Sequence, residues 1–403
     1  VFAFDMRTHR IIRSSMDLSD VNITSICPLN EAELLVGTEG MGLHKLDVNT
    51  CVMQPYIIAD YESNNGMNGN NINDIYVDEK KRIWLANYFE GITVVDARYK
   101  NYDWIKHSIG NRQSLVNDQV HAVIEDSEGD LWFGTSNGIS LYNRRTQKWH
   151  SFLSSVDHHL KDKNHVFVTL CEVSPGVIWA GGYTSGIYKI NKQALSVEYF
   201  SPFLLTPVNM QPDKYIRGMI KDSKGYIWSG GFYNLKCFNT QNNSVRLYPG
   251  VNSITAIAEK DSDFMWIGTA TGLYLLDRNT GSYQYVGLPV ESNYVNALYQ
   301  SAGGLLYVGT NGSGVLVYDS RNKTFEHYYT DNCALVSNNI YAILPEVDGR
   351  IIMSTENGIT SFHIKNKTFH NRTSEQGLLS ACFNPSSGTL CRNGGFVLGS
   401  TDG

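Results

Sequence analysis

Side chains able to support a reaction are numerous in this chain, but they are not spaced for one. Glycoside cleavage needs two carboxylates flanking the scissile bond. The 39 Asp and Glu residues offer many pairs, and their order along the chain neither nominates nor excludes one. The 11 histidines contain no His-Glu-x-x-His or other ligand spacing, and the His158-His159 pair sits in a polar stretch that reads as solvated, so no metal is expected. The glycine clusters Gly37-Thr-Glu-Gly-Met-Gly42 and Asn311-Gly-Ser-Gly314 are followed neither by Lys-Ser/Thr nor by a helix pattern, which removes a phosphate cradle. No Gly-x-Ser-x-Gly elbow opens a helix either. Seven cysteines (Cys27, Cys51, Cys171, Cys237, Cys333, Cys382, Cys391) are scattered, odd in number and without a Cys-x-x-Cys. Buried free thiols are therefore expected rather than a disulfide framework or a zinc site, with Cys382 and Cys391 the one pair placed to bridge a hairpin. No catalytic residue and no cofactor is expected.

Binding chemistry is better represented. Tyr88, Tyr183, Tyr215, Phe232 and Tyr233 supply rings, and Asn164, His165 and Arg217 supply hydrogen-bonding groups. Rings that stack on pyranose C–H faces, beside amide and guanidinium groups for hydroxyls or a uronate, are what a sugar site requires. The competing reading is that these rings pack one folded unit of the molecule against another. Arg217 stands just inside an expected strand, where an apolar or small polar residue would serve folding better. An anionic sugar explains it; pairing with Asp213 or Asp222 is the structural alternative.

What positions these residues is a repeat. Its clearest copy runs Asn117-Asp-Gln-Val-His-Ala-Val-Ile-Glu-Asp-Ser-Glu-Gly-Asp-Leu-Trp132-Phe-Gly-Thr-Ser-Asn-Gly138-Ile, then a polar turn and Lys148-Trp-His-Ser-Phe-Leu. Trp84, Trp179, Trp228 and Trp266 occupy the position of Trp132 in other copies, with Leu35, Tyr307, Ile352 and Val397 substituting, at spacings between 38 and 49 residues. Nine copies of this central strand are visible. Each copy reads as four short strands in a meander: an alternating run ending at Ser-Glu-Gly, a strand with tryptophan, a third after the glycine, and a fourth. That is the pattern of a β-propeller blade, which cannot bury both faces alone and must stack on its neighbours. The tryptophans therefore read as packing between blades rather than as sugar platforms.

Composition agrees with an all-β chain. Of 403 residues, 12% are aromatic and 36 are glycine, a mixture that suits short strands joined by glycine turns. A net charge of −6 without any block of like charge excludes a nucleic-acid or anionic-membrane footprint. No run of about 18 apolar residues is present, and the start Val-Phe-Ala-Phe-Asp lacks a leader, so the chain reads as an excised or processed soluble piece. Val1 to Asp17 look like the end of a blade and Ala381 to Gly403 like the beginning of one. Counting seven blades back from the C-terminus assigns 114–403 to a seven-bladed propeller lacking its final strands, and 1–113 to the last blades of a preceding one. A single nine-bladed ring, with the two chain ends completing one blade, is the competing geometry.

A meander blade puts the lead-in to its first strand and the loop between its second and third strands on one face, and its other two turns on the opposite face. The first face is where copies diverge: Asn87-Tyr-Phe89, Gly182-Tyr183-Thr and Phe232-Tyr233-Asn234 replace the regular turn, and the lead-ins add Asn164-His165, Tyr215 and Arg217. A repeat's departures from its consensus are where selection other than packing acts.

The unit Asn-x-Val-x-x-Ile-x-Asp-x-x-Gly-x-Leu-Trp-x-Gly-Thr-x-x-Gly-Ile/Leu is similar to the two-component-regulator propeller repeats in the periplasmic sensor halves of hybrid histidine kinases of gut Bacteroides-type bacteria. Copies at 70–97, 117–143, 164–190 and 252–277 fit well, and the copy at 214–239 departs after Trp228. The Gly-His and Trp-Asp of WD40 blades and the double glycine of kelch are missing. The resemblance covers essentially the whole chain. It implies an ectodomain of two seven-bladed propellers followed by a small immunoglobulin-like domain, dimeric, recognising oligosaccharides released from glycans, and joined to a membrane and a kinase by segments outside this sequence. Asp126-Ser-Glu-Gly129 and Asp222-Ser-Lys-Gly225 also resemble the Asp-box turns of sialidase-like glycosidases, but an aspartate there is expected from turn chemistry alone. The expected function is a non-catalytic, ligand-sensing ectodomain; the alternative is a propeller hydrolase or lyase acting on carbohydrate.

Overall fold

The repeat folds as it does because its fixed residues bond to one another. Asp126 Oδ1 accepts the backbone N–H groups of Glu128 and Asp130 at 2.9 and 3.0 Å, and its Oδ2 accepts the Trp132 indole N–H at 2.9 Å. Asp222 does the same with Lys224, Tyr226 and Trp228. The carboxylate thus closes the turn and clamps the next strand's tryptophan, which accounts for the spacing Asp-x-x-Gly-x-Leu-Trp. Further along, the Thr135 hydroxyl donates to the Gly138 carbonyl at 2.9 Å, and Thr269, Thr310 and Thr355 repeat this bond with Gly272, Gly314 and Gly358.

The structure is a computed structural model that describes residues 1–14, 21–59, 67, 69–95, 103–155, 165–200, 214–345, 347–376, 378 and 380–403. Among them lie 35 strands, one short 3-10 turn and no α-helix. All paired strands are antiparallel neighbours in sequence. The chain divides into two compact units, Val1–Trp104 and Ile105–Gly403.

In the first unit, a hairpin of Phe2–Asp5 and Arg10–Ser14 precedes a four-stranded meander beginning at Ile23–Pro28 and a three-stranded one of Ile72–Val77, Ile83–Asn87 and Gly91–Val95. The last two pack through Leu35, Leu43, Ile72 and Leu85. Trp84 is less buried than the tryptophans at the same position in the second unit. It is half-buried, in a sheet that leaves Tyr76 and Ile92 exposed, with Arg82 over its ring and its N–H on Asp78.

The second unit holds six four-stranded meanders with first strands Val120–Glu125, Phe167–Ser174, Ile216–Lys221, Ile254–Glu259, Val295–Gln300 and Ile340–Ile343, and a final hairpin of Phe383–Leu390 and Phe396–Ser400. Each first strand lies beside that of the next sheet, and Phe383–Leu390 lies beside both Ile340–Ile343 and Val120–Glu125. The sheets of this unit therefore close on one another. Asn384 and Ser387 donate to the Val120 carbonyl at 2.8 and 3.1 Å, and the Arg392 N–H donates to Glu125. The segment leading into Val120 belongs here too: Ile105 packs with Leu115 and Val120, and the His107 N–H donates to the Asp118 carboxylate. The division consequently falls before 113.

Neighbouring sheets meet through apolar side chains and ionic clasps. Trp132, Trp228 and Trp266 are at most 1% exposed and Trp179 2%. A Cβ on Gly230 would lie 2.5 Å from Ile254 Cγ2, and one on Gly399 would lie 2.6 Å from Val120 Cγ1, so the glycines two residues after Trp228 and Val397 let the next sheet's first strand approach. Lys192 reaches back to Asp126 and Asp130, both at 2.7 Å, and to Glu128, and Arg278 reaches back to Asp222 while also pairing with Glu259 of its own sheet. Burial opposes the charge on Asp126, yet its bonds to Lys192, Trp132 and Asp130 hold the carboxyl below the usual range. All seven cysteines are free thiols, Cys382 and Cys391 included, and burial pushes Cys171 and Cys237 up to about 12.

Candidate functional site

Backbone bonds gather the divergent loops of the second unit. The Gly138 N–H donates to the His165 carbonyl, Tyr183 to Val166, Gly186 to Lys214 and Ser253 to Phe232, each at 2.8–2.9 Å. Tyr183 is thereby tied to the lead-in of its own sheet, and Gly138, Gly186 and Phe232 to the lead-in of the following one, which puts these loops and lead-ins on one face. In two adjacent sheets the threonine clamp is missing: Gly182 and Gly231 stand where Thr135 and Thr269 stand elsewhere. The turns that follow carry Tyr183, Phe232 and Tyr233, exposed by 45, 51 and 53%.

The first strands add a second device. In each complete sheet of this unit the ladder slips between the first and third residues, leaving His121, Val168, Arg217, Thr255, Asn296 and Tyr341 without a cross-strand partner. A bulge of this kind frees a side chain from the alternation between sheet faces and re-aims it. Arg217 is at such a position, which answers why a strand should carry it. Its guanidinium donates to the Tyr294 hydroxyl, lies 5.5 Å from that ring's centre and bonds the Tyr215 phenol. A cavity of about 270 Å³ runs along the first strands, lined by Thr169, Gly218, Met219, Thr255 and Ala297 among others, and Arg217 is the charged residue in its wall. Burial lowers the pKa of His121, whose Nε2 is 2.7 Å from Ser136 Oγ, so the fixed charge of this ring of bulged positions is that of Arg217.

Tyr215 is the centre of the aromatic group. Phe232 stacks on it with centroids 4.2 Å apart and planes at 25°, and Tyr183 meets it edge-on at 4.9 Å and 84°. Burial, ahead of its neighbours' charges, raises the Tyr215 phenol, which stays a neutral hydrogen-bonding group. The arrangement is a half-exposed aromatic shelf ending at a cation, able to stack an apolar ring face and to bond a polar or anionic group beside it.

Of the residues expected at the site, Tyr183, Tyr215, Arg217 and Phe232 come together, and Tyr233 shares the loop of Phe232. His165 is half-buried with Nδ1 at 2.7 Å from the Leu153 carbonyl, so one ring nitrogen is spent on the loop below. Asn164 lies outside the described residues, as do Asp213 and the His158-His159 pair. Tyr88 stands in the first unit, tilted against Phe89 at 4.1 Å. Asp222 is not the partner of Arg217: its oxygens hold Trp228, two backbone N–H groups and Arg278. Sequence reasoning missed Tyr294 and Asn296. The signal was present, since Tyr294 precedes Val295 as Tyr215 precedes Ile216, and Asn296 occupies the position of Arg217. Among the described residues no three His, Cys, Asp or Glu side chains gather as a metal would need, and no helix is long and apolar enough to cross a membrane.

Comparison with known proteins bears on the repeat and the fold. The two component regulator propeller model matches residues 66–89 and 114–137. The chain is similar to histidine kinase P4 of Formosa agariphila, 22% identical over 282 residues, 62% of this chain and 20% of that protein. In fold it is similar to the extracellular domain of a hybrid two component system of B. thetaiotaomicron, with a TM-score of 0.74 and 22% identity, covering 99% of this chain and 52% of that one. It is also similar to virginiamycin B lyase of Staphylococcus aureus, with a TM-score of 0.56 and 15% identity over 71% of this chain and 94% of that one. The chain thus spans a fifth of the curated relative and about half of the solved ectodomain. The chain is thus a β-propeller with the fold of that ectodomain, and two of its segments match the two component regulator propeller repeat.

Proposed function

We propose that this chain is part of the periplasmic sensor ectodomain of a hybrid histidine kinase, and that it binds oligosaccharides from glycan breakdown without cleaving them. The observation that carries the reading is the shelf of Tyr183, Tyr215 and Phe232 beside Arg217, built where two adjacent sheets give up their threonine clamp. The repeat and the fold support a sensory role, and the Asp-box aspartates support a non-catalytic one, because their oxygens are consumed in the turn, the indole and the clasp. On this reading the second unit is a seven-bladed propeller lacking its final strands, and the first unit is the end of a preceding one. The full ectodomain is a homodimer, the kinase and the membrane attachment lie in segments outside this sequence, and this chain itself engages no nucleic acid.

Calorimetric titration of the chain with a panel of plant and host oligosaccharides, with chromatography of the same mixtures, tests this. Heat of binding without new products is expected. Shortened or unsaturated products formed at a steady rate would favour a hydrolase or lyase instead.

A further inference from the structure

We infer that the binding face contains a subsite for an oxyanion carried by the sugar, a carboxylate or a sulfate, read by Arg217, Tyr294 and Asn296. The inference rests on the reading of this face as a sugar site and names the chemical class that the site selects.

Arg217 and Asn296 occupy the same bulged position two sheets apart, with Thr255 between them. The Thr255 hydroxyl is spent on the Val295 carbonyl. Asn296 is only 3% exposed, and its side-chain amide nitrogen has no hydrogen-bond partner. A buried donor left unbonded is costly, and a water, an ion or a bound group would satisfy it. Arg217 is half-buried in the cavity wall, and its described partners are the phenols of Tyr215 and Tyr294; no described carboxylate pairs with it. Two phenols orient the guanidinium without neutralising it, and its planar fork of five N–H groups is left with donors to spare. The same stretch that supplies Tyr294 and Asn296 also holds Asn293, whose Oδ1 is an unbonded acceptor suited to a sugar hydroxyl. The bulged ring therefore offers one oriented cation and one orphan donor, which is the complement of a planar or tetrahedral oxyanion.

The test uses an immobilised array of uronate-bearing, sulfated and neutral oligosaccharides, probed with the purified chain. The tightest binder is then titrated alongside its carboxyl-reduced or desulfated form. The expected result is preference for acidic members, with an affinity loss of roughly ten- to hundredfold on removing the anion and a similar loss in Arg217→Met. Asn296→Ala should lose part of that, Arg217→Lys should restore part, and binding should weaken as salt rises. The two chemical treatments separate a carboxylate from a sulfate, and because they act on the sugar they decide the matter whether or not Arg217→Met folds. Equal binding of acidic members and their neutralised forms overturns the oxyanion subsite and leaves the sugar face standing. No binding to any member overturns both.

Discussion

Arg217 shows how one slipped residue in a ladder changes what a side chain is for. Bulged out of the ladder, it lines the cavity wall and meets two phenols. The aromatic half of the candidate site was legible because Tyr183, Phe232 and Tyr233 break a regular turn; Tyr294 holds the position of Tyr215 in its own copy, but its link to Arg217 spans 77 residues and exists only once the sheets are gathered. Removing the shelf should weaken binding without unfolding the chain. Phe232→Ala, half-exposed and outside the core, should lose about 1–2 kcal/mol of affinity for the array's tightest-binding sugar, with little change in melting temperature. The clasp residues should behave the opposite way. Lys192→Met leaves Asp126 as a buried, unpaired charge and should cost about 3–5 kcal/mol in denaturant unfolding, with the loop face intact. Because the Asp126 carboxyl lies below its unfolded value of about 3.9, its contribution is complete above that pH and is lost as pH falls toward the folded value. Melting curves of wild type and Asp126→Asn should therefore converge on acidification below about pH 4.

At the scale of the element, nearly every fixed residue of the repeat has a partner that explains it: aspartate with indole, threonine with the turn carbonyl, glycine with the next sheet's first strand. This is why four strands per copy are legible in the residues alone. Trp84 was the exception, because whether an indole is covered depends on the neighbouring sheet and not on its own strand. The glycine contact is the most sensitive of these. Gly230→Ala would drive its methyl against Ile254 and push the adjacent sheets apart, an overpacking that should cost about 1–3 kcal/mol, read as a lowered denaturation midpoint. The added methyl lies between sheets, so sugar affinity in the folded fraction should be less affected than stability.

At the scale of the molecule, closure of the second unit rests on a short hairpin bonded to the first sheet. The Val120 carbonyl receives both Asn384 and Ser387, and the double variant Asn384→Ala, Ser387→Ala should open this seam first. Amide exchange should then rise in 120–125 and 383–400 before it rises in the sheets opposite. Repeat spacing could not say where the strandless stretch before Val120 belongs, because it carries no copy of the unit; the bonds of His107 to Asp118 and Leu115 assign it. The central claim is that the loop face of this closed unit is where a sugar binds. Its most direct test is amide exchange of the wild-type chain with and without the tightest-binding oligosaccharide of the array. The account predicts protection at 165–168, 183–186, 214–218, 232–234 and 292–296. Protection confined to the opposite turns at 126–130 and 222–226, or none anywhere under saturating sugar, would contradict it.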